Sequence, residues 1–379
     1  MKWNLIILAY LALFALSLLD NGRSPSYHAI LRDLQIGPAK GSYLFTVASF
    51  ISLIVNLSAS KWLPKVGPVR AIQFALLLLA LSGVSMYFTG YFASYPLLIV
   101  TAALLGLGLA LCTICMNILV TKGSIPKYRK KLFSGLHAIY GVSSFAAPFI
   151  LTLILKLGGD WKIYFLVASV IPIIVLLSTN SKNTVKLEEE KSTSFEKGVA
   201  LKYRILFGLI FGCYVGSELV LSSRIPYYLQ NFLSYNSDKA GSYLSIFFLS
   251  LSAGRILFSF KTFNFKSQSM LLFSFISSIL IFILGRFVHP IFLSLTGLTM
   301  SYAFPMALDY LVTVFGNKSD YMITSVMTWI GVILAIVHFA FGLINETFGP
   351  QYAIFLSPAL ILISTTSLII FLKSDKSLL

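Results

Sequence analysis

The chain is a series of long apolar segments separated by short polar ones. A helix needs roughly 20 mostly apolar residues to cross a membrane, and twelve segments meet that requirement. Pro25, Pro226 and Pro305 fall inside the first, seventh and tenth segments and predict interruptions of those helices. The predicted spans are residues 4–31, 41–62, 69–90, 95–121, 132–157, 160–178, 204–231, 239–260, 268–286, 291–315, 321–346 and 351–372.

Composition narrows the class of protein. Of 379 residues, 57% are hydrophobic and only 11% are charged, which excludes a soluble enzyme, a disordered chain and a secreted disulfide scaffold. The three cysteines lie in apolar runs, and we interpret the Cys112-x-x-Cys115 spacing as helix packing. The sequence contains neither a metal cluster nor a nucleotide-binding motif, so we expect no cofactor. We interpret the first segment as a retained helix, because no cleavage pattern follows it.

The basic residues predict the orientation. With a cytoplasmic N-terminus, 20 of the 29 Lys and Arg residues fall on the cytoplasmic side, 6 on the opposite side and 3 inside helices. That asymmetry predicts cytoplasmic termini in an inner or plasma membrane. It also accounts for the net charge of +16 without nucleic acid. The basic cluster at residues 127–131 belongs to this signal, with binding of membrane lipid as the alternative.

Internal repeats predict a duplicated architecture. Gly-Ser-Tyr-Leu occurs at residues 41–44 and again at 241–244, and Arg-x-Pro-x-Tyr occurs at 23–27 and 224–228. We predict an all-α membrane protein with two pseudo-symmetric six-helix halves, residues 1–178 and 204–379, joined by a cytoplasmic linker at 179–203. Secondary transporters of this build bind their solute near the midplane.

Few charges lie inside the predicted spans, and such charges usually mark a transport pathway. Asp20 and Arg23, three residues apart, share a face of the first helix. Burial makes a carboxyl group hold its proton, while a neighbouring guanidinium opposes protonation. The pair is therefore a candidate proton site, or alternatively a fixed ion pair that pins the helix.

The seventh segment carries a polar stripe. Tyr214, Glu218 and Ser222 recur every four residues, and Arg224 follows. A carboxylate with hydroxyl neighbours suits a hydroxyl-rich ligand and adds Glu218 to the proton-coupling candidates. The alternative is a structural acid held by serines.

Further candidates lie on other segments. We predict that Arg255 and Asp309 form an ion pair that gates the C-terminal half. We also predict binding roles for a stacking aromatic and for three polar side chains, each of which could instead bond a neighbouring helix. These four residues are Tyr302, Asn117, His137 and His338.

Several motifs resemble a known family. The seventh segment contains Tyr-Val-Gly-Ser-Glu at 214–218, the fifth has Leu136-His137 leading to Pro148, and the eighth contains Gly254-Arg255. With Asp20 ahead of Pro25, these features are similar to the fucose permease-like sugar:proton symporters of the major facilitator superfamily. The resemblance implies alternating access, proton coupling at Asp20 and a sugar-like solute.

We therefore expect a monomeric secondary transporter, and not an enzyme, that moves a small-molecule solute with protons. Arg224 stands where relatives often have a sugar-stacking tryptophan, and with Arg23 it favours an organic anion or drug as the alternative solute. A non-transporting membrane sensor is a further alternative, but neither tail nor linker is long enough to fold as a signalling domain.

The orientation is testable by cysteine labelling. Single cysteines within residues 91–95 are expected to react with an impermeant maleimide from outside intact cells, because few cations lie on that side. Cysteines within residues 185–195 are expected to react only after permeabilisation. Labelling of the linker in intact cells would contradict this topology.

Overall fold

Helices make up nearly all of the part of the chain that the structure, a computed structural model, describes: residues 1–179, 199–260 and 266–374. The predicted linker, residues 179–203, lies mostly outside these ranges. The helices are α1 (Trp3–Leu34), α2 (Pro38–Val66), α3 (Pro68–Tyr91), α4 (Tyr95–Gly123), α5 (Pro126–Lys156), α6 (Trp161–Ser178), α7 (Leu201–Asn231), α8 (Ser237–Phe260), α9 (Ser267–Phe287), α10 (Ile291–Met300), α11 (Ala303–Phe315), α12 (Ser319–Phe348), α13 (Pro350–Ala353) and α14 (Leu356–Ser374).

Twelve stretches of these helices are long and apolar enough to cross a membrane. The first nine and α12 each supply one, α10 with α11 forms the tenth, and α13 with α14 forms the last. All twelve predicted segments are therefore confirmed as helical. The chain divides into two compact units, one with α1–α6 and Ser237–Ser242, the other with α7 and the chain from Tyr243 onward.

Capping residues set several helix starts. Asp160 accepts hydrogen bonds from the backbone N–H groups of Lys162 and Ile163 at 3.0 and 3.1 Å, which caps α6. Ser94 caps α4 in the same way, by accepting from Leu97 at 3.4 Å. Proline occupies the first turn of α2, α3, α4 and α5, where its missing N–H leaves no intrahelical bond unmade.

Of the three prolines that predict breaks, only Pro305 lies at an interruption of its helix. α1 and α7 continue through Pro25 and Pro226, so those two predicted breaks are wrong. Both prolines are buried, and packing by neighbouring helices tolerates one missing backbone bond. Pro305 is exposed, and the helix is interrupted at residues 301–302, just ahead of it. Proline lacks the donor for the Ser301 carbonyl and its ring crowds that group.

Hydroxyl groups join the helices within each unit. In the first unit, Tyr164 donates to the Leu18 carbonyl at 2.7 Å and links α6 to α1. In the second unit, Ser217 and Ser357 lie 2.7 Å apart and link α7 to α14. Ser217 therefore contributes to the packing of α7 against α14. Such bonds matter because apolar burial gives little association between helices in lipid.

Each unit has a close approach of two helix backbones at a glycine. A Cβ added to Gly106 of α4 would lie 2.5 Å from the carbonyl oxygen of Ala48 in α2. A Cβ on Gly297 of α10 would lie 2.5 Å from the carbonyl oxygen of Phe247 in α8. Small residues allow helix backbones to approach this closely.

Alanine at Gly106 or Gly297 is therefore expected to lower the melting temperature of the purified protein. The added methyl overlaps backbone, which cannot move aside like a side chain, and overpacking costs roughly 1–3 kcal/mol. Gly216→Ala is the matched control, because its Cβ would meet a Val337 methyl at 3.3 Å. Equal melting temperatures for all three variants would show that these contacts are not tight.

Candidate functional site

In the part of the chain that the structure describes, each unit has a group of paired charges in the interior of a membrane-spanning helix. In the first unit the Arg23 guanidinium contacts the Asp20 carboxylate, as predicted for residues that share a face. Arg23 also donates to the Asp20 carbonyl at 3.2 Å and to the Leu44 carbonyl of α2 at 3.1 Å. Its guanidinium carbon lies 4.7 Å from the centre of the Phe45 ring. These contacts fix Arg23 in place and tie α1 to α2.

A neutral polar cluster adjoins this pair. Asn21 donates its amide to the Ser17 and Ser144 hydroxyls, each at 3.1 Å, and the two hydroxyls lie 3.1 Å apart. Ser17 and Ser144 are fully buried, so the cluster joins α1 to α5 within the apolar interior. Asp20 thus lies between two sets of contacts that restrain α1.

The second group surrounds Glu218 on α7. The Tyr214 hydroxyl lies 2.5 Å from Glu218 Oε2 and 2.8 Å from the Met300 carbonyl oxygen. Arg255 of α8 places Nη2 3.6 Å from Glu218 Oε1, which is an ion pair without hydrogen-bond contact. The side chains of Glu218 and Arg255 are 20% and 32% exposed, whereas Tyr214 is buried.

The break between α10 and α11 creates this arrangement. Met300 ends α10, so its carbonyl is open to a partner outside the helix, and Tyr214 donates to it. α8 passes so close to the break that a Cβ on Gly254 would overlap the Ser301 side chain. That approach brings the next residue, Arg255, to Glu218.

The predicted ion pair between Arg255 and Asp309 is wrong for this structure: among the described residues none joins them. Arg255 pairs with Glu218, and Asp309 accepts a hydrogen bond from Ser267. Ser267 is the first residue of α9, and a helix N-terminus favours a carboxylate. Each group has therefore found a different partner.

Two predicted ligand contacts are covered by protein. Arg224 is fully buried and its guanidinium carbon lies 4.8 Å from the centre of the Phe341 ring. Tyr302 is 4% exposed and stacks on Phe258 with the ring centres 4.0 Å apart. Stacking within the protein leaves Tyr302 no open face for a sugar, and burial withdraws Arg224 from an anion clamp.

Of the remaining predicted binding residues, two donate hydrogen bonds within their own helices and one is buried. Asn117 donates its amide to the Thr113 carbonyl of its own helix at 2.8 Å. Ser222 likewise donates to Leu219 at 3.4 Å, while His338 is buried on α12. The side chain of His137 lies outside the described part of the chain.

Sequence reasoning missed the backbone partners of the site. The Met300 carbonyl holds Tyr214, and the Leu44 carbonyl holds Arg23. Pro305 was the available signal for a helix break near Met300, because it removes the backbone donor for the next carbonyl, that of Ser301. No residue type marks the second, because any residue supplies a carbonyl.

The twelve apolar spans of the described residues, with carboxylates and guanidiniums paired inside them, define a polytopic membrane protein. The chain belongs to the Major Facilitator Superfamily, whose family model matches residues 9–337. This confirms the resemblance drawn from the motifs, and it identifies a transporter and not an enzyme. No curated protein sequence matches the chain significantly.

Solved structures of the same fold include three named transporters. A D-xylose–proton symporter matches with a TM-score of 0.75 and 13% identity, covering 98% of this chain and 97% of that one. The nucleoside transporter NupG matches with 0.72 and 12%, covering 98% and 100%. FucP, in the outward conformation, matches with 0.65 and 15%, covering 96% and 98%. At these identities the likeness shows the fold alone.

Removal of one member of the α1 pair is expected to destabilise the protein. Arg23→Gln leaves the Asp20 carboxylate without its cation, and breaking a buried pair costs roughly 3–5 kcal/mol. We expect a lower melting temperature for Arg23→Gln and partial recovery in the double variant Asp20→Asn/Arg23→Gln. If the double variant loses as much stability as the single variants Asp20→Asn and Arg23→Gln together, the pair does not stabilise the protein as a unit.

Proposed function

We propose that this protein is a proton-coupled symporter of a small polar solute, sugar-like in its hydroxyl content, that works by alternating access. The observation that carries the proposal is the Glu218 site. It places a partly exposed carboxylate in a membrane-spanning helix within reach of a guanidinium and a phenol. Symport requires a group that binds a proton in one step and releases it in another.

Competition between a proton and Arg255 supplies that property. The guanidinium stabilises the Glu218 carboxylate, so its departure favours protonation. Arg255 is 32% exposed and 3.6 Å from the carboxylate, which leaves it free to move. Arg23 has additional anchors on Leu44 and Phe45, so the Asp20 site is more rigid. We therefore rank Glu218 ahead of Asp20 as the coupling group.

Three observations support a neutral polar solute over an organic anion. Arg23 is committed to Asp20, and Arg224 is fully buried against Phe341. Structures of similar fold are those of a D-xylose–proton symporter, the nucleoside transporter NupG and the fucose:proton symporter FucP, at 12–15% identity. Carboxylate and hydroxyl groups near Glu218 suit hydroxyl donors and acceptors.

The cellular setting is part of the proposal. The distribution of basic residues supports cytoplasmic termini and a cytoplasmic linker, in an inner or plasma membrane. The protein then acts as a monomer with two six-helix halves, residues 1–178 and 204–379.

Neutralising variants identify the coupling group in proteoliposomes. Glu218→Gln is expected to abolish solute-driven proton uptake while exchange of labelled solute across the membrane continues, because exchange needs no net proton movement. Asp20→Asn is the parallel variant for the first unit. If it alone uncouples transport, Asp20 is the proton site and our ranking is wrong. Proton uptake like the parent's in both variants would contradict coupling at either carboxylate.

Thermal stabilisation by added solutes identifies the solute class. Binding to the folded state alone raises the melting temperature. We expect neutral pentoses, hexoses or nucleosides to stabilise the parent and Arg224→Gln to respond equally. Stabilisation by small carboxylates only, lost in Arg224→Gln, would establish the organic-anion alternative.

A further inference from the structure

We propose that Tyr214 is a positioning residue that transmits the protonation of Glu218 to the break between α10 and α11. The inference rests on the proposed role of Glu218 as a proton site. It assigns to one hydroxyl group the link between that site and the backbone of the tenth membrane span.

The geometry presents one hydrogen to two acceptors. The Tyr214 hydroxyl lies 2.5 Å from Glu218 Oε2 and 2.8 Å from the Met300 carbonyl oxygen, both hydrogen-bond distances. A phenol carries a single O–H hydrogen, while an ionised carboxylate and a carbonyl only accept. Tyr214 therefore cannot make a full hydrogen bond to both groups while Glu218 is ionised.

With Glu218 ionised, the carboxylate takes the hydrogen. A bond to an ionised acceptor is roughly twice as strong as one to a neutral acceptor. The Met300 carbonyl then faces the phenol oxygen with no hydrogen between them. The end of α10 loses the partner that holds it against α7.

With Glu218 protonated, the hydrogen bonds form a chain. The new carboxyl O–H on Oε2 donates to the Tyr214 oxygen, and the phenol hydrogen turns to the Met300 carbonyl. The Glu218 hydroxyl, the Tyr214 hydroxyl and the Met300 carbonyl then each have a hydrogen-bond partner, and the proton count balances with the single proton gained by Glu218. Protonation of Glu218 thus strengthens the hydrogen bond that holds the end of α10 against α7, and ionisation of Glu218 removes it.

Among the described residues, one ion pair involves Glu218. Arg255 is the charged group that faces it from α8, and it pairs with the other carboxylate oxygen, Oε1. α9 packs Phe275 against the Tyr214 ring, with the ring centres 6.0 Å apart. At this level of α7, α12 contributes Val337 and α14 contributes Leu360 and Ser357.

The break between α10 and α11 is the part of the backbone that responds to the protonation of Glu218. The exposed Pro305 removes the backbone donor for the Ser301 carbonyl, so residues 301–302 leave the helix. The helix therefore has no backbone donor for the Ser301 carbonyl at the break. The adjacent Met300 carbonyl accepts its hydrogen bond from the Tyr214 hydroxyl.

Amide hydrogen exchange of residues 298–308 in the detergent-solubilised full-length protein tests the link without any solute. Exchange rates are divided by the intrinsic rate at each pH. In the parent we expect protection to rise about fivefold on acidification, the change that one hydrogen bond of ordinary net strength gives. In Glu218→Gln the amide donates to Tyr214, so the segment is expected to stay protected at every pH.

Tyr214→Phe keeps the ring and removes the hydrogen, so its segment is expected to stay weakly protected at every pH. Tyr228→Phe, about four turns further along α7, is the matched control and is expected to behave like the parent. The melting temperature of each variant establishes that it is folded. If Tyr214→Phe is unfolded, the proposal is still tested by comparing the parent, whose protection is expected to depend on pH, with Glu218→Gln, whose protection is expected to stay constant.

Two results would overturn the proposal. One is a parent-like pH response in folded Tyr214→Phe, and the other is a weakly protected segment in Glu218→Gln. Failure of proton coupling shows separately, as solute uptake without proton uptake by the parent in liposomes, and it leaves the exchange result unchanged.

Discussion

The free-energy cost of an ionised group in a membrane-spanning helix is the constraint on which this structure depends. A charge in that environment needs an opposite charge or a set of hydrogen bonds. Arg23 meets the requirement with Asp20, two backbone carbonyls and an aromatic ring. Glu218 meets it with a guanidinium and a phenol. Arg23 has more contacts than Arg255, whose guanidinium lies 3.6 Å from the Glu218 carboxylate.

The difference between the two arrangements comes from the backbone around them. α1 is continuous through Pro25, so the Arg23 contacts lie on intact helices. α10 ends at Met300, and an open carbonyl shares the phenol with the carboxylate. A glycine that lets α8 approach the break then sets the position of Arg255. One proline and one glycine thereby place three chemical groups together.

The sequence predicted the helices because hydrophobic length is a strong and local signal. It also predicted that Asp20 and Arg23 meet, since a spacing of three residues fixes a shared face. Contacts between distant helices were harder to predict. Arg255 was paired with Asp309 because the two lie at similar predicted depth, and nothing in the pattern shows that Gly254 lies against Ser301. The partners of Tyr214 and Arg23 include backbone carbonyls, which have no sequence signature.

The most direct measurement of the central claim is the infrared spectrum of the purified protein as pH is lowered. A protonated carboxylic acid has a C=O stretching band distinct from the bands of carboxylates and amides. We expect one such band to appear within the pH range of transport, Glu218→Gln to remove it, and Tyr214→Phe to shift its frequency by removing a hydrogen-bond partner. A spectrum in which the acid bands of the parent and of Glu218→Gln are identical would contradict protonation of Glu218 and the mechanism built on it.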